Sequence, residues 1–328
     1  MNTMKWLIKR EFWEHRGLFL WFPVIAVGLL IGLVLVSKTV ETAICEPPQC
    51  TINIGPFMAG KDGPVATAPS SLQRLVRNFG RSDEVAKNYL TYATPLILTL
   101  YLTMVSYLAS ALYAERKDGS VLFWRSLPVG DSATVIAKTL TALVVAPLVT
   151  YTVAIVGGAI LLVIHTALGL MAGLPLESSV LAYPDTYLSA LALLASIPIF
   201  ALWALPMAGV LLVAGAKARN YPLLWVFGGV LTTGGTLAYI NTVRDIWTDT
   251  QWYWNDFAAR LALGGFPYAW FFSFQPLNPS GLELSNRSIL EVLLIDSCKY
   301  LASPSLWIGA VGGVCLIWIA IQFRRRNN

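Results

Sequence analysis

Residues 135–165 read VIAKTLTALVVAPLVTYTVAIVGGAILLVIH, and this run decides the fold. A bilayer core about 30 Å thick is crossed by roughly 20 helical residues. The run is longer than that, and its one charge, Lys138, lies close to its start. The rest of the chain agrees. Only 12% of the 328 residues are charged and 56% are hydrophobic, whereas a soluble domain carries about 25% charged residues to cover its surface. Lipid is therefore the solvent for most of this chain. The expected fold class is all-α, a polytopic membrane protein, because a helix satisfies its own backbone hydrogen bonds in hydrocarbon.

Working outward, five further runs have spanning length, giving six transmembrane helices at 18–37, 90–113, 135–165, 187–213, 222–241 and 304–323. The short connections between them set an orientation. Lys5, Lys9, Arg10 and Arg16 precede the first run; Arg116, Lys117, Arg125 and Lys138 lie around the second connection; Lys217 and Arg219 follow the fourth run; Arg324, Arg325 and Arg326 follow the sixth. With an even number of crossings all four basic segments share one side, which the positive-inside rule makes the cytoplasm. Both termini are then cytoplasmic, and the expected location is the plasma membrane, as in a bacterial inner membrane. The net charge of +5 is thus explained by topology, and no zinc finger, RNP-like pattern or long basic run points to nucleic acid. The chain reads as a single transmembrane domain over 1–328, with outer loops at 38–89 and 242–303 that hold most of the acidic residues.

Residues 257–274 are apolar but broken by Gly264, Gly265 and Pro267. A seventh crossing there would put the Arg-rich tail outside. Short re-entrant or interfacial helices packed against protein fit better, with a second short helix over 288–300. Cys45 and Cys50 in the first outer loop either close a small disulfide or remain free thiols. Cys298 offers another pairing, and Cys315 reads as a packing residue. Gly28/Gly32 and Gly309/Gly313 are GxxxG pairs that permit close helix approach.

Several chemical readings fail. GPFMAGKD at 55–62 approximates a phosphate-binding loop, but Asp62 replaces the magnesium-binding hydroxyl and no strand precedes it. No cofactor or metal site is expected in the chain. The six runs carry no Asp, Glu, Lys or Arg well inside, which argues against an ion-coupled transporter; His165 is the one candidate relay. A membrane enzyme or scaffold would have to draw on Ser280, or on the outer carboxylates Asp245, Asp249, Asp256 and Glu283, which read more simply as turn and loop residues.

Two segments at the basic side stand out. Residues 1–17 read as an amphipathic interfacial elbow helix, with Met4, Leu7, Ile8 and Phe12 on one face and Trp6 and Trp13 among the cations on another. Residues 115–132 read ERKDGSVLFWRSLPVGDS. Gly119 and Ser120 can end the second span and start a new helix, Phe123, Trp124 and Leu127 are its apolar anchors, Pro128 and Gly130 stop it, and Asp131 or Ser132 can cap the third span. A short stiff helix over about 114–132, rigidly joined to two spans, can transmit force.

This segment resembles the permease subunits of ABC type-2 exporters. The resemblance rests on Glu115-Arg116, Gly119-Ser120, Leu127-Pro128, Ser132 and Lys138, in that order and spacing. It differs from many members in having Val121 and Leu122 where an acidic residue follows the Gly-Ser pair. The layout of elbow helix, six spans and short outer helices is also similar. The resemblance implies a homodimer of permeases in the lipid bilayer, joined to two copies of an ABC ATP-binding subunit that bind ATP and magnesium. The chain alone is then not an enzyme. Glu115, Arg116, Lys117, Gly119, Ser120, Phe123, Trp124, Arg125, Leu127 and Pro128 are the expected ATPase-coupling residues. The transported substrate is not legible.

Overall fold

A computed structural model describes residues 3–44, 94–119, 130–171, 184–244, 253–269 and 297–326. Among the described residues every regular element is helical. Helix α1, Thr3–Glu14, is followed by a π turn at Gly17–Trp21 and by α2, Phe22–Ile44. The stretch Gly17–Leu33 is bent by 69° from α1. Then come α3, Thr94–Lys117, and α4, Asp131–Leu140, which runs through a π turn at Thr141–Val145 into α5, Ala146–Met171. Helices α6, Pro184–Ala195, and α7, Ile197–Lys217, are separated only by Ser196. Helix α8 is Pro222–Arg244, α9 is the short Ala259–Leu263, and α10 is Pro304–Arg326.

Among the described residues, five stretches are long and apolar enough to cross a membrane, Pro95–Lys117, Asp131–Ile164, Tyr187–Lys217, Pro222–Val243 and Pro304–Arg326, and the bent pair Thr3–Glu14 and Gly17–Leu33 makes a sixth if it is taken as one span. This is a helical membrane protein. Its outward faces carry Leu29, Leu224 and Ile308, each about 70% exposed or more, which suits lipid and would be costly in water.

Helix α7 is the central element. Phe200, Ala204, Ala208, Leu211 and Leu212 are fully buried where α7 packs on α3 and α10. The crossing with α10 is tight because both backbones are bare: a Cβ on Gly313 would lie 2.5 Å from the Leu205 carbonyl carbon, and one on Gly209 would lie 2.9 Å from the Gly313 oxygen. Of the Gly309/Gly313 pair, Gly313 makes the close helix approach that the spacing predicts, whereas Gly309 faces the guanidinium of Arg260. The Gly28/Gly32 pair makes no such approach among the described residues, where nothing lies within 4 Å of either added Cβ.

The segment broken by Gly264, Gly265 and Pro267 forms short helical turns packed on protein over its described residues. Residues 253–269 form a π turn at Tyr253–Ala258, then α9 and a turn, with Tyr253, Leu261, Tyr268 and Ala269 buried. The Tyr253 hydroxyl donates to the Val230 carbonyl at 2.7 Å and the Tyr101 hydroxyl to the Ala262 carbonyl at 2.8 Å. Helix α3 continues through Lys117 and gives way at Gly119, the residue read as ending it, so Glu115, Arg116 and Lys117 belong to its last turn and the boundary drawn at 114 moves to the glycine. Two further expectations change. Cys315 faces outward instead of into the packing, and both it and Cys298 are free thiols. Asp131 lies in the first turn of α4, whose cap, Gly130, provides no side-chain bond.

Candidate functional site

The site begins with Glu11. On α1 it follows Leu7 by four residues, so both point the same way, and both are 1% exposed. The face read from sequence as apolar therefore carries a buried carboxylate. Burial pushes that carboxyl upward, but the charge and hydrogen bonds of Lys138, with Arg10 and Tyr107, outweigh it and hold the group below the ordinary glutamate value. Tyr107 on α3 donates its hydroxyl to Oε2 at 2.9 Å, and Arg10 donates Nη2 to Oε1 at 2.5 Å.

Lys138 on α4 bridges two carboxylates. Its Nζ lies 3.0 Å from both Glu11 oxygens and 3.1 Å from Glu115 Oε1. Glu115 in turn accepts from Arg324 Nη1 at 2.7 Å, and Arg324 Nε donates to Asp131 Oδ1 at 3.1 Å. Three cations (Arg10, Lys138, Arg324) thus alternate with three carboxylates (Glu11, Glu115, Asp131) in one chain of bonds. The balance is needed: a buried ion costs several kcal/mol of desolvation unless paired and hydrogen-bonded. Asp131 gives up its expected capping role because Arg324 claims its carboxylate.

This network gathers α1, the end of α3, the start of α4 and the end of α10 at one end of the bundle. The end of α7 joins them. Arg116 Nη1 donates to the Ala216 carbonyl at 2.6 Å, its Nη2 donates to the Ala218 carbonyl, and Lys217 Nζ lies 5.5 Å from the Phe323 ring centroid. All four basic segments of the sequence are therefore brought together. Arg116 is taken up by its own chain, whereas Lys117 is exposed. Gly119 follows α3 with φ +68°, the left-handed turn that a side chain resists and that ends the helix there.

The remaining expected coupling residues, Ser120, Phe123, Trp124, Arg125, Leu127 and Pro128, lie outside the described residues, as do Cys45, Cys50, Ser280, Asp245, Asp249 and Glu283. His165 falls within α5 and Asp256 within the π turn at Tyr253–Ala258. Glu11, Glu14 and His15 come within ligating distance of one another, but the carboxylate of Glu11 is held by Lys138, Arg10 and Tyr107, so its charge is already compensated.

A third buried cation, after Lys138 and Arg324, lies away from this network. Arg260 on α9 donates to the carbonyls of Ser305 and Leu306 at 2.6 and 2.9 Å and rests 4.7 Å from the Trp203 ring centroid. It ties α9 to α7 and to the first turn of α10, and the bare Gly309 leaves room for its guanidinium. Sequence reading passed over Arg260 because its neighbours are apolar. The hint was its place in a segment too broken to cross the membrane.

No family model, curated protein or solved structure matches this chain.

Proposed function

We propose that this chain is the membrane-spanning permease subunit of an ATP-driven exporter, of the kind its 115–132 segment resembles. In this reading six helices cross the membrane, α1 is an interfacial elbow, the basic end faces the cytoplasm, and residues 120–129 enter a groove on a separate ATP-binding subunit. That subunit binds ATP and magnesium, and two permeases with two ATPases make the working unit in a bacterial inner membrane.

The observation that carries the reading is the double grip of Arg324. One guanidinium holds Glu115, at the end of α3, and Asp131, at the start of α4. These are the two roots of the proposed coupling segment. Lys138 extends the same grip to α1 through Glu11. A loop with free roots absorbs a push by flexing. A loop whose roots are clamped together passes the push to both helices as one body, and α10 and α1 move with them. Charge patterning adds support, since the gathered cations would face the cytoplasm by the positive-inside rule.

The test is co-expression with a cognate ATP-binding subunit and reconstitution in nanodiscs. The complex should co-purify, and Trp124→Ala should leave helicity intact while abolishing the permease-dependent change in ATP hydrolysis. A chain that binds no ATPase under these conditions overturns the proposal.

A further inference from the structure

The outward face of α1 matches neither protein packing nor open water. Leu7 and Glu11 fix which side of the helix meets the bundle. The opposite side, at helical spacing, bears Lys5 and Lys9 along one edge and Trp6 and Trp13 along the other. Trp6 is 43% exposed and Trp13 56% exposed. Lys5, Lys9 and Arg16 are exposed as well, and the one exposed acid among them, Glu14, is within 3.7 Å of Arg10. Arg10 also lies 6.0 Å from the centroid of the Trp6 ring.

Two indoles left in water would cost what their apolar area dictates. Indole and lysine side by side are instead the pairing of a membrane interface, where the ring sits among the headgroups and the ammonium reaches their phosphates. The same surface continues through Trp21, 56% exposed, to Ile25, Leu29 and Leu33 on the lipid-facing side of α2. The 69° bend lays α1 across the axis of that helix, close to the bilayer plane when α2 crosses it.

We infer that the edge formed by Lys5 and Lys9 of α1, with Arg16 just beyond its end, is a binding surface for anionic phospholipid headgroups, with Trp6 and Trp13 seated beside them in the interface. Three cations against one acid already engaged by Arg10 make the face complementary to a negative leaflet rather than a zwitterionic one. Each basic side chain at such a surface favours the anionic lipid by about fivefold. This inference requires only that α2 lies in a bilayer, and it stands or falls independently of the exporter reading.

The experiment uses the full chain in nanodiscs of phosphatidylcholine mixed with phosphatidylglycerol, with bromine placed on the acyl chains of one lipid or the other to quench nearby indoles. The chain has 12 tryptophans, so the signal is the quenching that disappears in the Trp6→Phe/Trp13→Phe variant. Brominated phosphatidylglycerol should quench this component several-fold more effectively than brominated phosphatidylcholine. The preference should vanish in Lys5→Gln/Lys9→Gln/Arg16→Gln and survive in Lys5→Arg/Lys9→Arg, which keeps charge and separates it from folding. Raising salt to about 1 M, where the screening length falls to about 3 Å, should also erase it. Equal quenching by the two lipids, or a preference that persists in the triple Gln variant, overturns the inference. So does a face quenched by neither lipid but shielded when an ATP-binding subunit is added, which would assign it to a protein partner.

Discussion

Replacing Lys138 by Met keeps an unbranched side chain as far as Cε and removes the ammonium at the centre of the network. The ammonium donates to Glu11 Oε1 and Oε2 at 3.0 Å each and contacts Glu115 Oε1 at 3.1 Å. A hydrogen bond to a charged group contributes about 1.5–3 kcal/mol, so the three together bound the loss at roughly 5–9 kcal/mol. Glu11 keeps Arg10 and Tyr107, and Glu115 keeps Arg324. The expected destabilisation is therefore about 3–5 kcal/mol, the range for an ion pair broken from one side. The double variant Glu11→Gln/Lys138→Met removes the carboxylate that Lys138→Met leaves uncompensated. It should recover about 2 kcal/mol relative to the sum of the two single changes. Reversible unfolding in mixed micelles, with helicity followed by circular dichroism, supplies the four stabilities of this cycle. A Lys138→Met chain within about 0.5 kcal/mol of the wild type, the range of an ordinary surface change, would refute the reasoning, as would strictly additive effects.

The network also sets a pH dependence. Glu11 ionises more readily in the folded chain than in the unfolded one, so its contribution is complete above the ordinary glutamate value of 4.5 and is lost as pH falls through the lower folded value. The denaturation midpoint of the wild type should fall on acidification below that point, and Glu11→Gln should flatten this part of the profile. The two glycine pairs should separate cleanly. Gly313→Leu must displace Leu205 and Pro206 backbone and side-chain atoms, at about 1–3 kcal/mol or more. Gly28→Leu, which meets nothing within 4 Å, should stay within about 0.5 kcal/mol of the wild type, as read from the thermal unfolding of detergent-purified monomer.

What was legible in the sequence was the solvent. Low charge and long apolar runs mark the spanning helices, and Pro304–Arg326 begins where the sixth run was read. The interruption at Gly264, Gly265 and Pro267 marked residues 257–274 as short helices, and the described part, within 253–269, packs against α7 and α8. What was not legible is how the charges pair. Glu11 shares a face with Leu7, a spacing that could have flagged it, but its partner Lys138 is 127 residues away. Asp131 looked like a cap because local capping is the commonest use of such a residue; only the fold brings Arg324 to it. Arg116 looked like a free cation at a docking surface, yet its guanidinium reaches the last carbonyls of α7. One-dimensional patterns report how a helix meets its solvent. They do not report which helix ends meet each other.

The span of the Arg324–Asp131 bond, 193 residues, has a consequence for how the protein is made. Helices enter the membrane in the order of synthesis, so α1, α3 and α4 are in place well before α10 emerges. During that interval Glu115 has Lys138 but not the guanidinium that later joins it to Asp131. The basic end is therefore a joint that closes last. A chain stalled or cut before Arg324 would present a joint with Asp131 unclamped from Glu115 to whatever quality-control machinery inspects the membrane surface, while its apolar helices gave no sign of the defect.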